Sequence, residues 1–171
     1  MLFVSWCFDL NLVSLTTRRS NPVRDTLQAF AARGVFREFG ETRRGARTEY
    51  KFRWLTPAPI HLVHDSRAHT LNFRHLLPNM PAKSDIYRGL RKFLAGRTLA
   101  SVPEHRRIDP RRTEIKTINR GGSVSILIKF RPRSARYAAR KAINIVNEIF
   151  MGFLTGPYYD YMVENFAMSE E

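Results

Sequence analysis

Between Arg136 and Leu154 the chain carries one apolar stripe at helical spacing, and the rest of the fold has to bury it. Ala139, Ala142, Ile143, Val146, Ile149, Phe150, Phe153 and Leu154 recur at steps of three and four residues. That is the 3.6-residue period of an amphipathic helix. The spacing predicts a helix over 135–154, with Ser134 placed to cap its first turn and Gly156-Pro157 to stop it. At 1.5 Å per residue it would run about 30 Å, the width of a small domain. A stripe of that length needs a broad apolar partner, which the neighbouring strand signals supply.

Segments 113–119 and 123–130 are joined by Asn119-Arg120-Gly121-Gly122, a good hairpin turn. Val124, Ile126, Ile128 and Phe130 share one face of the second strand. Upstream, Tyr50, Phe52 and Trp54 alternate with Lys51 and Arg53 in a half-buried strand, after an extended segment at 35–39 and a polar turn at 41–47. Segments 60–64 and 69–73 flank 65–68 and predict a further hairpin. Asn21 and Pro22 open a short helix with Val23, Leu27, Phe30 and Ala31 on one face. Ser84 caps a second, striped by Ile86, Leu90, Phe93 and Leu94. Residues 97–112 form a polar connection in which Pro103 and Pro110 disfavour helix. Tyr158, Tyr161, Met162 and Phe166 predict a helical tail over 157–171, with 169–171 fraying. Residues 1–20 show no clear period and are expected to be a strand or an irregular leader. With no strand–helix–strand repeat, the expectation is a single α+β domain over 1–171. Its sheet is antiparallel and its helices pack on one face.

Composition bounds the function more than it names it. The 171 residues are 43% hydrophobic, enough for one domain with a sizeable core. Cys7 is the single cysteine, which excludes an internal disulfide and makes a reducing cytoplasm the expected compartment. No apolar run reaches the length of a membrane span. The net charge is +14, and 23 of the 29 basic residues are arginine. All 29 lie within residues 1–141, where the net charge is +19. Such an excess attracts nucleic acid or acidic proteins. An arginine-rich composition also follows from codon usage, and a solvated basic surface keeps a protein soluble.

The anion-binding candidates are Arg43, Arg44 and Arg47 on a hairpin tip, Arg106, Arg107, Arg111 and Arg112 in the polar connection, and Arg131 and Arg133 leading into the long helix with Arg136 and Arg140. Guanidinium groups suit bidentate contacts to phosphate or carboxylate. Tyr50, Phe52 and Trp54 lie on the strand face opposite Lys51 and Arg53, so they are expected in the core rather than on a base-stacking surface. His61, His64, His69 and His75 fall within fifteen residues. The odd spacing of His61 and His64 sends them to opposite faces, although His61 and His69 could approach across a hairpin near Asp65. No cysteine accompanies them and no H-E-x-x-H occurs, so surface or capped histidines are expected rather than a metal site. His105 and Asp109 could form an acid–base pair, but no nucleophile adjoins them. Phosphate-loop, dinucleotide and C-x-x-C motifs are missing from the sequence. The expectation is a non-enzymatic chain without cofactor or metal.

The element order resembles the fold shared by type III secretion chaperones and the YbjN family. The resemblance spans residues 22–154. It rests on Phe52-Arg-Trp-Leu55, on Leu71-Asn-Phe73 followed by Leu76-Leu-Pro78, on the helix at 84–95, on the hairpin at 113–130 and on the closing helix. It implies a dimeric module that binds an extended segment of another protein. Secretion chaperones are typically acidic, whereas this chain is basic. Apart from the resemblance, Phe150, Phe153, Tyr158, Tyr159 and Tyr161 are more large side chains than one helix face needs, which makes them interface candidates. The alternative is that they close the chain's own core. The leading expectation is a protein-binding or chaperone-like module, a homodimer with an unidentified protein partner. A basic nucleic-acid-binding protein is the alternative.

Overall fold

The computed structural model describes residues 21–166. Expectations for residues 1–20 and 169–171 lie outside the described residues. Helix α1 (Pro22–Ala32) starts as its sequence predicts: the Asn21 side chain accepts from the N–H groups of Val23 and Arg24, and proline occupies the first turn. Strands β1 (Arg37–Arg44) and β2 (Arg47–Arg53) pair in antiparallel, with Arg44 opposite Arg47. The polar turn expected over 41–47 is therefore only Gly45-Ala46. Gly45 adopts φ +60°, and a two-residue loop needs no more chain than that.

Strands β3 (Ile60–Asp65) and β4 (Thr70–Leu77) form the next hairpin. Its turn is pinned by Asp65, whose carboxylate accepts from the N–H groups of Arg67 and Ala68 at 3.0 and 2.9 Å. Helix α2 (Asp85–Gly96) is capped by Ser84, which accepts from the Tyr87 N–H. Strands β5 (Thr113–Arg120) and β6 (Ser123–Phe130) meet at Gly121-Gly122, both at positive φ. The six strands make one antiparallel sheet in the order β1-β2-β3-β4-β6-β5. β6 is inserted beside β4, so β1 and β5 are the edges.

The period-2 alternation sorts the strand residues into two faces. Tyr50, Phe52, Leu62, Leu71, Phe73, Val124, Ile126 and Ile128 are buried on one. Lys51, Arg74 and Lys129 are exposed on the other. Helix α3 (Ala135–Glu148) lies over the buried face against β4 and β6. Ala138, Ala139 and Ala142, all fully buried, let the helix approach closely. α1 packs along α3.

Two details of the long helix depart from expectation. Ser134 is no cap: it ends a 3₁₀ turn, Pro132–Ser134, whose N–H bonds the Arg131 carbonyl at 2.7 Å, and its side chain makes no capping bond. The α-helix ends at Glu148 and continues as a π-helical segment, Ile149–Leu154. That wider winding keeps Ile149, Phe150, Phe153 and Leu154 all buried, against α2 and the closing helix α4 (Tyr159–Phe166). No helix among the described residues is long and apolar enough to cross a membrane.

Candidate functional site

Strand β5 has no strand beyond it, and the direction of its backbone groups follows from the ladder. The Phe130 N–H bonds the His69 carbonyl at 3.0 Å, so Phe130 turns its polar groups toward β4 and away from Thr113, its partner in β5. Hydrogen-bonded and non-bonded pairs alternate in an antiparallel ladder. Glu114, Lys116, Ile118 and Arg120 therefore bond to β6, while Thr113, Ile115, Thr117 and Asn119 direct N–H and C=O outward. The Thr113 N–H is taken by the Asp109 carbonyl at 3.0 Å. Those of Ile115 and Thr117 face a groove.

The groove, about 760 Å³, runs between β5 and α2. Its floor and far wall are Tyr87, Leu94, Ile108 and Ile115, with Arg91 and Thr98 on the rim. At one end the Tyr87 hydroxyl meets Thr117 Oγ1 at 2.9 Å. At the other, Thr113 Oγ1 is buried without a hydrogen-bond partner. Segment 97–112 closes that end because it is tied down. Ile108 is buried and its N–H bonds the Arg97 carbonyl, while Lys141 of α3 donates to the carbonyls of Glu104 and His105 at 3.2 and 2.7 Å. Burial lowers the Lys141 pKa. Volume, apolar floor and a few polar rim groups fall within the range of binding pockets.

The arginine candidates do not converge. Arg44 and Arg47 lie side by side on the open sheet face, and Arg43, one residue off in the alternation, belongs to the other face. Arg47 is held by Asp65 at 3.0 Å. As expected from alternation, Tyr50 and Phe52 are in the core, and burial pushes the Tyr50 hydroxyl up to about 12. Arg111 is spent on Asp109, which it holds below the usual carboxylate range, and Arg106 reaches Glu148 at 3.9 Å. Arg107 donates to the Ala100 carbonyl, and Arg112 lies 3.9 Å over the Tyr137 ring. Arg131 and Arg133 are exposed and form no ion pair among the described residues.

The histidines are scattered. His61 faces the open side, bonded to Glu49 at 2.9 Å, and this bond lowers the Glu49 pKa. His64 points into the core, and burial lowers its pKa. His69 does not meet His61, whose register partner is Arg74; it sits against Phe130 instead. His75 bonds Ser123 Oγ. No group of three or more His, Cys, Asp or Glu among the described residues is arranged to hold a metal ion. Asp109 faces Arg111 rather than His105, so the acid–base pair that their spacing would allow is not made.

The interface candidates of the C-terminal region mostly serve the chain itself. Phe150 and Phe153 are core residues at 1% and 7% exposure. Phe150 packs on Phe166, and Phe153 on Tyr158. A Cβ on Gly89 would come within 2.7 Å of the Tyr158 hydroxyl, so the tail seats directly on α2. Tyr161 donates to the Pro78 carbonyl, and Tyr159 alone of the five is exposed. Glu148 meets Arg97 of its own chain at 2.5 Å. The groove at β5 escaped sequence reasoning. Its only signal was the alternation of Ile115 and Thr117 with Glu114 and Lys116.

No protein-family model, curated protein or solved structure matches this chain.

Proposed function

We propose that the chain is a non-enzymatic protein-binding module that takes an extended segment of a partner protein as an added strand along β5. The observation that carries this reading is the row of outward N–H and C=O groups at Ile115 and Thr117, set in a groove beside α2. Strand addition draws affinity from main-chain hydrogen bonds and specificity from pockets for alternate side chains. Here the apolar floor at Tyr87, Leu94 and Ile108 would receive every second side chain. Five residues, Thr113 to Thr117, offer about 16 Å of edge at about 3.3 Å per residue.

The other edge is poorly suited to the task. β1 is charged along its exposed length, with Arg37, Glu38, Glu41, Arg43 and Arg44, the composition that discourages edge pairing. A homodimer, as the resemblance to secretion chaperones implies, would accordingly form through β5 and compete with a peptide. The test is selection from a random peptide display library, followed by amide hydrogen exchange. Bound peptides should alternate apolar residues and protect the Ile115 and Thr117 amides, and Thr117→Pro should abolish binding while Lys129→Glu leaves it unchanged. Binders that leave those two amides unprotected, or an absence of binders, would overturn the proposal.

A further inference from the structure

We infer that the exposed face of the first half of α3, together with Arg33 at the end of α1, binds the phosphate backbone of duplex DNA. This inference does not rest on the β5 groove. Arg133, Arg136 and Arg140 are all exposed, at steps of three and four residues. None forms an ion pair among the described residues, and the first turn of α3 has no acidic residue. Their placement is unfavourable for the free protein twice over. Like charges three and four apart on a helix repel, and cations near a helix N-terminus oppose its dipole.

Elsewhere in the chain some arginines meet carboxylates. Arg24 meets Glu41, Arg47 meets Asp65, and Arg97 meets Glu148. The stripe differs from the other unpaired arginines in its regular spacing along one helix face.

Geometry favours a regular polyanion. From Arg133, in the 3₁₀ turn that leads into α3, to Arg140 the backbone rises about 10 Å. This spans about three phosphate steps of one DNA strand at about 3.4 Å each. Between α1 and α3 lies a groove of about 580 Å³, lined by Phe30, Arg33, Arg136, Arg140 and Asn144, with Asp25 as its acidic member. Arg33 is fixed in place: its Nε donates to the Ala29 carbonyl and its guanidinium sits 4.7 Å over the Phe30 ring. The Arg112 guanidinium covers Tyr137 in the same way. With both rings capped by arginine, this surface offers phosphate contacts and no platform for stacking bases, which favours a duplex over a single strand.

The experiment is a fluorescence-anisotropy titration of the full chain against a labelled 20-base-pair DNA duplex. Four phosphate contacts predict affinity that falls on the order of 100-fold between 50 and 200 mM salt. Arg136→Glu with Arg140→Glu should weaken binding by more than about tenfold and flatten the salt slope. Lys51→Glu with Lys129→Glu, on the open sheet face, should change it less than about threefold. Thr117→Pro should leave it unchanged, which separates this surface from the groove. Circular dichroism checks folding, and Arg136→Gln with Arg140→Gln replaces the reversed pair if that pair does not fold. No binding at 50 mM salt, equal losses from the two charge-reversed pairs, or equal affinity for polyglutamate would overturn the inference. Preference for single-stranded RNA or for duplex RNA would do the same.

Discussion

Proline at two adjacent positions of β5 should have opposite consequences for stability and binding. Lys116 lies opposite Leu127 in a hydrogen-bonded pair, so Lys116→Pro removes a ladder donor and leaves a carbonyl of β6 unpaired. The lost bond is worth about 1 kcal/mol and the orphaned carbonyl about 1–3 kcal/mol, together about 2–4 kcal/mol. Thr117→Pro removes an N–H that points into the groove, and costs chiefly the Tyr87–Thr117 hydroxyl bond of 2.9 Å, about 1 kcal/mol. The difference of about 2 kcal/mol corresponds to about 4–8 °C in melting midpoint for a chain of this size. Thermal unfolding followed by circular dichroism reads it directly. Lys116→Pro should melt lower yet keep the outward edge, while Thr117→Pro should stay near wild type and lose added-strand binding. Equal midpoints, or a lower one for Thr117→Pro, would mean that the assignment of outward groups is wrong, and the binding proposal would go with it.

Three further outcomes follow from particular side chains. Arg136→Glu alone should raise stability by about 1 kcal/mol in low salt, by replacing repulsion from Arg133 and Arg140 with attraction and complementing the helix dipole; a lower midpoint would show that Arg136 already has a partner. Burial holds the His64 pKa below its ordinary value, so the unfolded chain takes up the proton first as acid is added. Its stabilising contribution is complete above about pH 6.5 and is lost as pH falls toward the lowered folded value. His64→Leu should therefore flatten the fall in stability as pH drops below about 6.5, while Glu49, Asp65 and Asp109, whose pKa values are also lowered, act in the same direction below about pH 4.5; an unchanged slope would contradict the burial argument. Lys141→Ala should loosen segment 97–112 on α3, which Glu148 and Tyr137 still hold, and speed tryptic cleavage at Arg106 and Arg107 several-fold; an unchanged digestion rate would show that Lys141 does not tether it.

What the sequence determined by itself is what local spacing encodes. The stripe from Ala139 to Leu154 specified the long helix, Asn21 and Ser84 specified two helix starts, and Gly121-Gly122 specified the last hairpin. In each, a propensity or a dihedral preference acts within a few residues. The α+β class and the antiparallel sense followed from the order of these elements. The tertiary structure decided everything that depends on which element lies beside which. Placing β6 next to β4 made β5 an edge, and only then did Ile115 and Thr117 acquire unpaired backbone groups and a groove. Packing of the tail against α2 turned Phe150 and Phe153 into core, although their composition suited an interface equally well. Which arginines are free was likewise settled at long range. Arg97 found Glu148, far away in the sequence, whereas Arg136 and Arg140 form no ion pair among the described residues, because an ion pair depends on distance through space, which residue order leaves open.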